Sequence, residues 1–311
     1  MKLKAYPVIY SRTKLVDFGP DFIIRPEGLH YSDAARYIQD AMIGIDFLKG
    51  VRYCVFNVKD YCICGGIACI SKELVNKIGN MPIFGDYSDY LTDIKGRSIA
   101  CFIGFAIAKK DIQPGIIPKI DLKDYWEVYL KYIKNQWRKN QTTSEEIREP
   151  IEIEAKQFCE PVISVTSEQH FGKEAFIETE NNIQDILDIC FNRCLNGQEV
   201  SFISNIDSPD VFKRLHYHSV SVPGSVCENL KRLEEREERQ RKIQEERNKN
   251  SSVKQGNNTE DWRGNKEYKK KENYQIPHYQ KEKNPNGSGL MVGVAAAIVV
   301  ILIIVWLISR Q

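Results

Sequence analysis

Val51–Val58 (VRYCVFNV) and Tyr61–Ile70 (YCICGGIACI) are two β-rich runs separated only by Lys59-Asp60. Branched and aromatic side chains on either side of a two-residue interval predict a tight hairpin. A third apolar run, Ser98–Ala108 (SIACFIGFAIA), follows. A helix is predicted ahead of them. Ser32 is its N-cap, Ala34, Ala35, Ile38, Ala41, Met42, Ile45 and Leu48 recur at three-to-four spacing, and Gly50 ends it. A helix followed by three consecutive strands predicts antiparallel pairing.

Working outward, Pro7–Ser11 and Phe22–Arg25 read as short strands, and Asp121 caps a second helix. The stripe of that helix is Leu122, Trp126, Tyr129, Leu130, Ile133 and Trp137. Residues 1–140 are therefore expected to form an α+β domain, and QTTSEEIREP (141–150) a joint. Strands are expected at Pro150–Glu154, Ala175–Thr179, Val200–Asn205 and Ser219–Val222. A third helix carries Ile183, Ile186, Leu187, Cys190 and Cys194 inward and is closed by Gly197. Strand–helix–strand–short helix–strand predicts a parallel βαβ unit, so residues 150–225 are expected as a smaller α/β unit or as part of one shared sheet. In element order alone, the first part resembles the longin or profilin-type arrangement, which implies a membrane-side binding module. The order assigns no family. The fold class expected is α+β: a mainly antiparallel sheet with flanking helices, the α/β unit, a charged helical stalk and one C-terminal transmembrane helix.

The stalk is residues 228–249, ENLKRLEEREERQRKIQEERNK. Glu235–Arg239, Glu237–Arg241, Glu238–Lys242 and Glu245–Lys249 stand at i,i+4 in the favoured order. Its only aliphatic residues are Leu230, Leu233 and Ile243, too few for the heptads of a coiled coil, so a solvated single helix about 33 Å long is expected. Residues 250–288 are rich in Asn, Gln, Gly and Lys and are expected to be a disordered linker. Residues 290–308, LMVGVAAAIVVILIIVWLI, contain no charge and would span about 28 Å as a helix, close to the ~30 Å hydrocarbon core. Lys269, Lys270, Lys271, Lys281 and Lys283 precede the run and only Arg310 follows it. The positive-inside rule then places the long N-terminal part in the cytoplasm. The first eighteen residues contain no signal-peptide core, which fits a single-pass, tail-anchored arrangement. Gly289, Gly293 and Ala297 share one helix face and offer a close-approach seam for a homodimer.

The net charge is +2, but residues 1–230 hold an acidic excess and 231–288 a basic one. The folded part thus lacks the basic balance of a nucleic-acid reader, and no nucleic-acid partner is expected. Nine cysteines in a cytosolic chain are expected as free thiols, mostly small core residues. Cys62-x-Cys64-x4-Cys69 is the densest group. On a regular strand Cys62 and Cys64 share a face and Cys69 takes the other, unless Gly65-Gly66 inserts a bulge. Metal candidates are Cys62 and Cys64 with a second pair, either His216 and His218 or Cys190 and Cys194 at i,i+4. Catalytic candidates are Cys64 or Cys69 as nucleophile with His170 or His218 as base. His216 and His218 are expected one exposed and one half-buried. Asp86, Asp89, Asp93 and Arg97 form an acidic loop that could take a metal or phosphate, or simply be solvated. No P-loop, dinucleotide, zincin, serine-elbow or EF-hand motif occurs, and no cofactor is expected. The function expected is a tail-anchored protein presenting a cytosolic α+β interaction or signalling domain to a protein partner. The alternative is a membrane-tethered enzyme, either a cysteine-dependent hydrolase or a nucleotide-processing domain.

Overall fold

In the computed structural model the structure describes residues 1–79, 88–119, 121–161 and 165–256, with side chains to 248. Contacts divide the chain into Met1–Asn250 and Ser251–Gln311, and the first unit holds the fold. The residues 290–308, with Gly289, Gly293 and Ala297, lie outside the described residues, as do 257–288. Among the described residues no helix is long and apolar enough to cross a membrane.

The predicted hairpin forms as β3 (Val51–Val58) and β4 (Tyr61–Ile70), with Val58 opposite Tyr61 and Lys59 at φ 48° in the turn. β5 (Ala100–Ala108) pairs antiparallel with β4 and is buried along its whole length. Burial on both faces explains why its sequence is a continuous apolar run and not an alternation. β1 (Lys2–Ser11) lies on the other side of β5. Its outer edge changes partner halfway: Lys2–Ala5 pair with β8 (Ile151–Gln157), and Ile9 pairs with Ile24 of β2 (Ile24–Pro26). Pro7 sits in the interval, where its missing N–H costs no ladder bond.

The short β6 (Ile116–Pro118) extends the sheet beyond β8, and β7 (Glu145–Ile147) runs parallel to β2. At the opposite side β11 (Ser201–Ile203) pairs antiparallel with β3. β12 (Ser219–Pro223) lies between β11 and β10 (Lys173–Glu178), parallel to both. That is the expected βαβ arrangement, and it is joined to the first strands in one sheet. β9 (Ser167–His170), which has no signature in the sequence pattern, closes the edge against β10. The whole is α+β with a mainly antiparallel sheet.

Helices cover both faces. On one lie α2 (Ser71–Ile78), α3 (Leu122–Ile133) and α4 (Ile183–Leu195), burying Leu74, Trp126, Tyr129, Leu187 and Phe191 against the strands. On the other lie α1 (Tyr31–Ala41), α5 (Pro209–Arg214) and the base of α6 (Gly224–Gly256), with Ile38, Phe212 and Leu230 buried. α1 is shorter than its periodicity predicts: its N-cap is His30 and it ends at Ala41. Gly44 turns left-handed at φ 66°, and the Arg52 guanidinium donates to the carbonyls of Ala41 and Ile43. Those two features stop the helix before Ile45–Phe47, which form a separate 3-10 turn.

Candidate functional site

The β9–β10 hairpin turns in two residues, because His170 pairs with Lys173. Phe171 and Gly172 occupy the loop at φ 49° and 74°, the doubly left-handed form that suits the strand twist. Glu168 and His170 are two apart on β9 and so project to one face. β12 runs straight into α6 at Gly224, which brings the first turns of that helix to the same edge. Cys227, Leu230 and Glu234 stand at i, i+3 and i+7 on it and share a stripe. Leu230 is buried in the core; Cys227 and Glu234 meet β9.

His170 is 4% exposed and lies between three partners. Its Nδ1 is 2.7 Å from Glu234 Oε2. A carboxylate only accepts, so Nδ1 carries the hydrogen and Nε2 is left to face the remaining groups. Nε2 is 3.3 Å from Glu168 Oε2 and 3.4 Å from the Cys227 sulfur. The sulfur is 3.7 Å from Glu168 Oε2. The second oxygen of Glu234 accepts the Phe171 N–H at 2.5 Å, so one carboxylate fixes both the ring and the turn beside it. Glu168, His170 and Cys227 thus offer three ligand atoms within 4.8 Å of one another. Burial, and then the charge of Glu168, push the Cys227 thiol above its ordinary value. The arrangement stabilises a thiol or a bound cation better than a free thiolate.

The sequence candidates fall elsewhere, with one exception. His170 is in this cluster, but its thiol partner is Cys227 and neither Cys64 nor Cys69. Cys64 lies against Cys62 at 3.2 Å, and Cys69 faces Cys101 at 3.8 Å across the β4–β5 ladder. Both are fully buried, and both thiols are pushed far up, Cys64 by burial and Cys69 by its bond to Cys101 and by burial. Cys62 is joined to Cys194 of α4 in a disulfide, which corrects the reading of every cysteine as a free thiol. His216 is on the opposite face from Cys62 and Cys64, its Nδ1 3.1 Å from Asp40 of α1. His218 Nδ1 is 3.3 Å from the Ser201 hydroxyl. Both imidazoles are exposed, and Tyr217 between them is the buried residue, its hydroxyl donating to the Tyr37 carbonyl. The structure therefore does not bring His216 and His218 to Cys62 and Cys64.

In the acidic loop, Asp89 accepts from Trp137 Nε1 and Arg138 and pairs with Lys14, each at 2.9 Å. Asp93 is held by Arg97 and by the backbone N–H groups of Lys95 and Arg97. Both carboxylates are engaged by their own fold, and Asp86 lies outside the described residues. An open cleft of about 690 Å³ is bordered by Asn57, Lys109, Cys194 and Glu199.

Sequence reading misses Glu168, Cys227 and Glu234. The signals were there in part: Glu168 and His170 alternate, and Cys227 and Glu234 are two helical turns apart. Nothing local links the two pairs. No family model matches the chain, and no curated protein or solved structure matches it either.

Proposed function

We propose that the chain is a single-span membrane protein that holds an α+β interaction or signalling body on the cytosolic side. The uncharged run 290–308, preceded by a lysine-rich stretch, carries this reading. The body supports it in two ways. Its cysteines other than Cys159 are buried and five of them sit in the sheet, as packing residues do. The segment after α1 leaves Ile43 and Phe47 on the surface, Phe47 at 90% exposure, a side chain that a protein partner would cover.

The test is placement. Full-length protein should sediment with membranes and resist alkaline carbonate, while a chain lacking 290–308 should not. In sealed vesicles with the cytosolic side outward, added protease should remove the body. Recovery of the intact chain in the high-speed supernatant, or a protected body, would overturn the proposal. The contact of Cys227 with His170 favours a second reading, a membrane-tethered thiol hydrolase. One cysteine alkylating far faster than the rest at neutral pH would support it; labelling limited by burial throughout would support the binding body.

A further inference from the structure

We propose that Glu168, His170 and Cys227 bind one Zn²⁺, with Glu234 holding His170 in the ligating orientation. The spacing of the ligand atoms supports the site. Zinc sits about 2.0–2.1 Å from nitrogen or carboxylate oxygen and about 2.3 Å from sulfur, so a tetrahedral shell sets edges of about 3.3 Å for N···O and about 3.6 Å for N···S and S···O. The three edges here are 3.3, 3.4 and 3.7 Å. Each edge lies within about 0.2 Å of the tetrahedral value.

Glu234 supports the site independently of the spacing. A ligating histidine characteristically donates its other ring N–H to a carboxylate, which fixes the tautomer and aims the lone pair. Glu234 Oε2 takes the Nδ1 hydrogen at 2.7 Å and leaves Nε2 pointing at Cys227 and Glu168. Its other oxygen is tied to the Phe171 N–H, so the orienting group is itself oriented.

The donor set favours a borderline ion such as Zn²⁺ over the hard cations. One thiolate, one imidazole and one carboxylate form a mixed set of intermediate softness; Mg²⁺ and Ca²⁺ prefer all-oxygen shells. On binding, the Cys227 sulfur exchanges its proton for the metal and the proton leaves to solvent. Thiolate and carboxylate then neutralise the dication. His170 and Cys227 are buried, whereas the Glu168 side chain is 46% exposed, so water on that side completes the shell. The ion would clasp the β9 edge of the sheet to the base of α6.

Metal-stripped full-length protein in detergent, titrated with Zn²⁺ alone and with Co²⁺ alone, tests this. One ion per chain is expected, and the Co²⁺ form should show the thiolate charge-transfer band and the strong visible bands of four-coordination. Cys227→Ser should abolish the charge-transfer band. Glu168→Gln replaces an exposed side chain and leaves the fold intact, yet it should weaken Zn²⁺ binding at least tenfold. Glu234→Gln should weaken it about 10–100-fold while keeping the band. Zn²⁺ should also protect Cys227 from alkylation. Absence of stoichiometric binding, a band that survives Cys227→Ser, or unchanged affinity in Glu168→Gln would each overturn the proposal.

Discussion

Asp89 receives Lys14, the Trp137 indole and Arg138, and these bonds lower its pKa to about 2, the Lys14 bond most and the indole bond next. An unfolded chain titrates the same carboxyl near ~3.9. Its folded pKa is thus depressed, so the stabilisation is complete above pH ~5 and is lost as pH falls through ~4 towards 2. Asp89→Asn should therefore lower the urea midpoint by a constant amount above pH 5, and the gap to the wild type should close between pH 4 and 2. A gap that widens on acidification would contradict the assignment. The residue also shows where sequence reading stops. From the sequence, Asp89 and Asp93 read as part of an acidic loop, either solvated or open to a metal or phosphate. The partners of Asp89 come from positions 14, 137 and 138, and nothing in the local spelling GDYSDYLTDIKGR announces them.

Within elements, β4 shows the opposite case, because its irregularity was written in the residues. Cys64 pairs with Phe105 and Ile67 with Ile103, so two residues, Gly65 and Gly66, oppose Gly104 alone. Gly65 takes φ 66°, the glycine form of a bulge. The extra residue flips the alternation, and Cys62, Cys64, Ile67 and Cys69 all face the helices α2–α4, while Ile63 and Ala68 face the other side. A Cβ on Gly66 would stand 2.6 Å from the Phe102 ring. Gly66→Ala should then cost about 1–3 kcal/mol in urea unfolding by overpacking. The loss should be partly rescued by Phe102→Leu, so the double-mutant cycle should be non-additive. Arg52 is the second element-scale case. It is buried, and its guanidinium caps the carbonyls that end α1. Arg52→Met should destabilise by about 1–3 kcal/mol, since those buried acceptors lose their donors. Hydrogen exchange should locate the loosening at residues 38–45. The sequence reading runs the helix past its end for this reason: the apolar spacing continues to Leu48, and of the two features that stop it only Gly44 is local, the other, Arg52, coming from a strand. The stripes of α3 and α4, by contrast, were legible because each depends on its own residues alone.

At the scale of the whole fold, the question is whether residues 1–140 and 150–225 unfold together. β11 pairs with β3 at Phe202 opposite Val55, and Tyr53 exchanges hydrogen bonds with Ser204, its N–H to the hydroxyl at 2.8 Å and its carbonyl from the N–H at 2.9 Å. The joint is also apolar. Phe191 and Cys190 of α4 belong to the same buried cluster as Val55, Cys64 and Trp126. Two parts that share both a ladder and a core have no separate interior to keep when one of them melts, so unfolding should be one cooperative step. Phe191→Ala provides the measurement. The side chain is fully buried, and its removal should cost about 3–5 kcal/mol. Fluorescence of Trp126 and Trp137 reports the first part, while amide exchange in β10 and β12 reports the second. Both readouts should shift to lower urea by the same amount, although Phe191 lies in the second part only. If the tryptophan transition stays where it is while β10 and β12 open early, the shared core does not couple the two and they are separate folding units.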